Sequence, residues 1–266
     1  MTMLGAIIGD IIGSRFEKNN YKSTDFELFT QASKFTDDTV LTIAIADALL
    51  TGRDYAASVK HYARRYPLAG YGGTFKKWMV GIISGPYNSW GNGSAMRVSP
   101  IGYAFDTESD ILEEAGKSAA ITHNHPEGIR GAQAIALGVY LARTGHPKEE
   151  IKAAIVQAFG YDLDRKIDDI RPGYAFDVSC QGSVPEAIIA FLESTDFEST
   201  IRLAISLGGD SDTIACMAGA LAEAYYGQIP AALQAEARRR LPRDFVRILD
   251  TFSAHYCLPG GGHAIT

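Results

Sequence analysis

Residues 208–226 read GGDSDTIACMAGALAEAYY, an acidic turn followed at once by a long alanine-rich run that is apolar on more than one helical face. A helix with so little polar surface has no side to give to water and belongs inside a larger assembly of helices. Gly227 and Pro230 follow it as stop signals. Residues 128–143 (GIRGAQAIALGVYLAR) repeat the pattern and close on Gly145 and Pro147, and residues 38–50 (DTVLTIAIADALL) repeat it again before Gly52. Shorter amphipathic helices are predicted over 186–193, 198–206 and 231–241, the last with Arg238, Arg239 and Arg240 toward water. Gly5, Gly9 and Gly13 fall four apart on one face of an opening helix, a spacing that lets a second helix approach closely. Strand-like alternation is scarce, and there is no βαβ rhythm. Glycine-rich loops occur at 69–73, 81–94 and 258–263, but no linker, low-complexity tract or internal repeat divides the chain. The expectation is an all-α protein with one domain over residues 1–266.

The chain has 266 residues, of which 46% are hydrophobic, enough for a sizeable core. A formal net charge of -6 argues against a broad basic surface for nucleic acid, although it says nothing about local fields. Cys180, Cys216 and Cys257 are far apart and odd in number, so neither a disulfide framework nor a zinc knuckle is expected, and they read as buried free thiols in a reducing compartment. The opening MTMLGAIIGDIIGSRFE lacks a basic leader and is interrupted by Asp10, and no apolar run approaches the roughly 18 residues of a membrane span. A cytoplasmic protein without a membrane partner is expected.

Two acidic motifs carry the chemistry. Phe35-Thr36-Asp37-Asp38-Thr39 stands directly before one buried helix, and Gly208-Gly209-Asp210-Ser211-Asp212-Thr213 before another. Helix capping is the plain explanation for Asp, Ser and Thr at such places. Yet a cap uses one side-chain oxygen, whereas each motif supplies two carboxylates and at least two hydroxyls. Four carboxylates beside apolar helices repel one another unless cations join them. With no His or Cys in either motif, hard cations such as Mg²⁺ fit better than zinc. Two metals about 3.5–4 Å apart sharing a carboxylate would polarise one substrate or water oxygen. The spaced acidic series of an EF-hand is missing.

FTDDT and GGDSDT, with GDIIGSRFE near the N-terminus, resemble the signatures of the ADP-ribosylglycohydrolase family. The resemblance runs over nearly the whole chain, with ordered motifs at about 5–17, 36–39, 91–97, 121–133 and 208–213. It implies a compact orthogonal helical bundle, two Mg²⁺ (or Mn²⁺), and release of ADP-ribose from a modified protein, nucleic acid or small molecule. Thr36, Asp37 and Asp38 match the first metal-ligand triplet, and Asp210, Asp212 and Thr213 the second, with Asp212 as bridging ligand. Thr39 reads as a helix-start hydroxyl and Asp10 as a polar residue of the first helix. Glu17 matches an acidic residue near the metals, and with Asp37 is the catalytic candidate; its plain alternative is an exposed glutamate paired with Lys18. Gly91, Asn92, Gly93, Ser94, Met96 and Arg97 resemble the phosphate- and ribose-binding loop. Small residues there expose consecutive N–H groups that can nest around a pyrophosphate, with Arg97 adding charge. No GK[ST] follows and no strand-bound GxGxxG is present, so neither a Walker A nor a Rossmann site is read. His123 matches a histidine near the ribose and phosphates, while His125 before Pro126 reads as structural. Tyr87, Trp90, Tyr103 and Phe105 offer faces for adenine or simply pack in the core.

The resemblance implies hydrolysis at C1″ of the distal ribose, with metals and carboxylates favouring an oxocarbenium-like transition state. The linkage cleaved is not legible in the sequence. Two other readings stay open: an inactive ADP-ribose-binding or structural relative, and a different two-metal nucleotide hydrolase.

Overall fold

The structure, a computed structural model, describes residues 2–257; the glycine-rich stretch 258–263 lies outside them. Among the described residues the chain forms fourteen α-helices and no strand. In order these are α1 (Leu4–Gly13), α2 (Asp37–Thr51), α3 (Tyr55–Arg65), α4 (Gly73–Met79), α5 (Ser99–Ala104), α6 (Glu108–Ala120) and α7 (Pro126–Arg143). They are followed by α8 (Lys148–Phe159), α9 (Ile167–Ile170), α10 (Cys180–Glu193), α11 (Phe197–Ser206), α12 (Ser211–Tyr226), α13 (Ala231–Arg239) and α14 (Arg243–Phe252).

The alanine-rich run is α12, and every residue from Ser211 to Ala224 is buried. Helix α1 is buried along its whole length. The two run antiparallel in backbone contact: a Cβ on Gly5 would overlap Gly219, one on Gly9 would overlap Ala215, and one on Gly13 would overlap Asp212. The three glycines therefore serve helix approach, as their spacing predicts. Glu223 of α12 locks the pair at the other end. Its carboxylate accepts from the Thr2 N–H at 2.5 Å and the Gly5 N–H at 2.6 Å, satisfying free donors at the start of α1 that Met3 leaves uncapped. The register that these contacts fix brings the C-terminal end of α1 beside the acidic start of α12.

Helices α2, α7, α11 and α13 follow the predicted ranges closely. Helix α10 begins at Cys180, six residues earlier than the predicted 186, because Ser179 caps it by accepting from the Gly182 N–H at 2.9 Å. Pro185 sits inside it. The bond it cannot donate would go to Gln181, which is exposed and can use water instead. Helix α14 buries Phe245, Ile248, Leu249 and Phe252, a 3.6-residue pattern that the expectation above leaves out. All three cysteines are free and buried.

Candidate metal and ligand site

The N-termini of α2 and α12 and the C-terminal half of α1 converge on one cluster of oxygens. Thr213 Oγ1 donates to Asp38 Oδ2 at 3.4 Å, joining the two motifs across the chain. Carboxylate oxygens of Asp10, Asp38 and Asp212 lie within 4.8 Å of one another, and all three residues are buried. Thr36 donates from Oγ1 to Asp10 Oδ1 at 2.7 Å and from its N–H to Asp10 Oδ2 at 2.9 Å. Thr39 donates to the same Oδ2 from both its N–H, at 3.1 Å, and its hydroxyl. Thr39 is thus a helix-start hydroxyl, and Asp10 is the post to which the start of α2 is tied.

Capping does not explain the rest. Thr36 Oγ1 does accept from the Asp38 N–H at 3.3 Å. Asp210, however, holds the N-cap position of α12 and makes no side-chain cap bond there. Instead Asp210 Oδ2 accepts from Asn92 Nδ2 at 2.7 Å. Among the described residues Asp38 Oδ1 is buried without any hydrogen-bond partner, an arrangement that costs roughly 1–3 kcal/mol or more for a charged oxygen. Burial is the first cause that drives the carboxyls upward. Asp38 and Asp212 stand well above the usual carboxylate range, with the charges of their neighbours adding to the effect. Asp37 is pushed up to about 7 by burial and by Asp10, Asp210 and Glu17. Asp10 rises to about 6 through burial, with the bonds from Thr36 and Thr39 pulling the other way. An all-oxygen donor set, mutually repelling and with one orphaned oxygen, fits a hard divalent cation.

The cluster opens into a cleft of about 920 Å³. Glu17, Thr36, Asp37, Asp38, Asp210, Asp212 and Thr213 all line it, so every metal-ligand candidate and both catalytic candidates meet at one place. Glu17 is only half-buried, and among the described residues it makes no ion pair with Lys18.

The opposite wall carries the glycine loop and His123. Gly91, Asn92, Gly93, Met96, Arg97 and His123 line the cleft. Ser94 does not: its hydroxyl is turned inward and donates to the Gly128 carbonyl at 2.7 Å. The expected nest of free N–H groups is also smaller than the sequence suggests, because Gly91 N–H bonds Ser89 Oγ and Asn92 N–H bonds the Val178 carbonyl. Arg97 is 0% exposed and sits in the floor. Its Nη2 donates to the Ser118 carbonyl and to Thr122 Oγ1, both at 3.0 Å, while Nε and Nη1 have no partner among the described residues. Burial lowers it to about 10. The hydroxyl that accepts from Arg97 lies 2.7 Å from His123 Nδ1. With the Thr122 hydroxyl donating to Nδ1, the neutral ring would carry its own proton on Nε2. Burial and the Arg97 charge keep the ring neutral. Nε2 lies beside Gly91 and Gly93, where in that tautomer it would offer an N–H to a ligand oxygen. His125 is structural, accepting from the Glu127 N–H as the cap of α7.

Sequence reasoning missed part of the wall. The loop and helix start holding Gly70, Gly72, Gly73 and Thr74 line the cleft, as do Phe176 and Val178 from the loop before α10. The glycine density of 69–73 was a usable signal; nothing local marks Phe176. Of the aromatic candidates, Tyr87 borders the cleft, Trp90 is 49% exposed beside the loop, and Tyr103 is core. The turn before α12 depends on its glycines: Gly208 and Gly209 adopt φ of 74° and 66°. A Cβ on Gly209 would press on Tyr174 and Ala175.

Comparison with known proteins identifies the family and several relatives. The family model described as ADP-ribosylglycohydrolase matches residues 1–256. ADP-ribosylhydrolase ARH3 of Xenopus tropicalis is 30% identical, over 86% of this chain and 87% of that protein. The Homo sapiens ARH3 is 29% identical, over 87% of this chain and 86% of its own length. ADP-ribosylarginine hydrolase Tri1 of Pseudomonas putida (strain GB-1) is 28% identical over 85% of this chain and 69% of that protein. A solved structure described as an ADP-ribosylglycohydrolase-related protein complex superposes with a TM-score of 0.73 at 27% identity, covering 95% of each chain.

Proposed function

The chain belongs to the ADP-ribosylglycohydrolase family, and from that premise we propose that it hydrolyses the bond at C1″ of the distal ribose, releasing ADP-ribose from a modified target with two Mg²⁺ ions, or Mn²⁺ in their place. The single observation that carries the reading is the buried Asp10, Asp38 and Asp212 cluster, with the orphaned Asp38 Oδ1, at the floor of a cleft large enough for a nucleotide. Thr36, Asp37, Asp38, Asp210, Asp212 and Thr213 would hold the ions, with Asp10 fixing Thr36 from behind. When bound, the ions supply Lewis-acid polarisation and offset the carboxylate charge.

The protein's own groups divide the remaining work. Glu17 is the base that takes a proton from the attacking water, or the group that orients it. The surrounding carboxylates favour positive charge as the ribose becomes oxocarbenium-like. The Gly93 N–H and the Nε2–H of His123 hold pyrophosphate oxygens on the far wall. Arg97 acts from below, keeping His123 in the donating tautomer through Thr122. Packing of the ligand against both walls fixes C1″ near Glu17 and limits the water that reaches it. We assign residues 1–266 to one domain working in the cytoplasm. Among the described residues no helix is long and apolar enough to cross a membrane.

The test is product analysis with Mg²⁺ calorimetry on wild type, Asp38→Ala and Asp212→Ala. Free ADP-ribose from wild type, with loss of both Mg²⁺ binding and turnover in the variants, is the expected result. AMP plus ribose phosphate as products would replace the reading with a phosphoesterase. ADP-ribose binding without turnover of serine-, arginine- or nucleobase-linked substrates would make the chain a binding protein.

A further inference from the structure

The cleft has a basic wall that the reading above does not use. Arg15, Lys18 and Lys34 line it around Glu17, and among the described residues none of the three pairs with a carboxylate. The only other Lys or Arg among the described residues lining the cleft, Arg97, is buried in the floor. Arg15 is held in place rather than free to swing. Its Nη2 donates to the Glu27 carbonyl, its guanidinium lies 4.1 Å from the centre of the Phe16 ring, and its Nε is buried with no partner among the described residues.

The bonding sequence across the floor gives this wall its role. From the glycine loop, Asn92 reaches Asp210. Asp212 and Asp38 follow, then Thr36 bonded to both Asp38 and Asp10. Beyond them Lys34 N–H bonds Ser14 Oγ, next to Arg15. The carboxylates thus lie between the glycine and His123 wall and the basic wall. With the pyrophosphate on the first and the distal ribose over the carboxylates, the group leaving C1″ passes Glu17 and meets Arg15, Lys18 and Lys34. Leu68, 93% exposed, lines the same cleft and offers an apolar contact for a peptide side chain. Three cations suit two or three carboxylates; a nucleic-acid backbone needs a longer basic track, which the overall charge does not provide.

We propose that Arg15, Lys18 and Lys34 form a leaving-group subsite that selects ADP-ribosyl groups carried by acidic peptide segments and disfavours cationic surroundings, an inference that rests on the hydrolase reading. Like-charge rejection and opposite-charge attraction at a rim act mainly on encounter and on KM, and they weaken with salt.

Two synthetic peptides carrying the same ADP-ribosyl serine, one flanked by glutamates and one by lysines, test this with ADP-ribose release as readout. Wild type should prefer the acidic peptide by about tenfold in kcat/KM at low ionic strength, narrowing toward parity in 1 M salt, where the Debye length is about 3 Å. The exposed pair Lys18→Glu and Lys34→Glu, combined and checked for fold by circular dichroism, should reverse the order. Equal kcat/KM on both peptides, or a preference that survives the double reversal, overturns the subsite and leaves the hydrolase standing. Faster release from an ADP-ribosylated DNA end than from the acidic peptide overturns the peptide assignment. Release from neither peptide, nor from any other linked ADP-ribose, overturns the hydrolase reading and the subsite together.

Discussion

Asn92 Nδ2 donates to Asp210 Oδ2 at 2.7 Å, binding the glycine loop to the second acidic motif across 118 positions of sequence. The bond makes the ligand wall and the carboxylate floor one mechanical unit. It also fixes the orientation of the Asp210 carboxylate at the floor of the cleft.

Asn92→Ala removes this side-chain donor from Asp210 Oδ2 without touching the carboxylates themselves. Loss of such a supporting bond typically costs 10–100-fold in metal affinity or activity, and a fall of about tenfold in each is expected here. Calorimetry with Mg²⁺ and ADP-ribose release measure the two quantities, and unchanged values for both would show that Asp210 is positioned by its backbone alone.

Asp38→Asn should trade function for stability. The amide keeps a hydrogen-bond acceptor for Thr36 and Thr213 and removes one of several buried like charges. In chelator the variant should melt higher by several degrees, on the order of 1–2 kcal/mol. Adding Mg²⁺ should raise the wild type through ligand linkage and leave the variant unmoved. Scanning calorimetry in the two conditions decides it; a variant that melts lower than wild type in chelator would contradict the repulsion argument.

Two glycine substitutions should move stability in opposite directions. A Cβ at Gly9 overlaps the Ala215 backbone, which no rotamer change can relieve. Gly9→Ala should cost about 3 kcal/mol or prevent folding, at the upper end of overpacking penalties. Gly116 lies inside α6, where a Cβ would meet Gln133 and Ile129 at 3.5 and 3.7 Å, ordinary contact distances. Gly116→Ala should stabilise by about 0.5–1 kcal/mol through helix propensity. Urea unfolding of both proteins is the measurement.

His123 should make the protein acid-sensitive. Burial and Arg97 hold its folded pKa well below 6.5, so the folded ring stays neutral while the unfolded chain takes up a proton near pH 6.5. The unfolded state then binds more protons as pH falls, and stability is fully present above about pH 6.5 and declines below it, by at most about 1.4 kcal/mol per pH unit. Comparing urea unfolding of wild type and His123→Gln between pH 7 and pH 5 isolates this term. Parallel curves for the two proteins would mean that the histidine charges in place.

The sequence by itself determined the helical character and the chemistry of the floor. Periodicity is local, so α1, α2, α7 and α12 can be read from spacing, and Thr36, Asp37, Asp38, Asp210, Asp212 and Thr213 stand out because adjacent carboxylates before apolar helices have no comfortable local use. Only the tertiary structure decided what surrounds them. Asp10 is one charge in an apolar helix until the glycine contacts with α12 set its depth, and then it anchors the start of α2. Ser94 lies inside the loop motif, yet its hydroxyl turns inward because the Gly128 carbonyl waits there. The stretch 70–74, Phe176 and the basic wall enter the cleft by the packing of elements far apart in the chain. Side-chain direction and cleft shape are sums over distant contacts, and no window of sequence contains them.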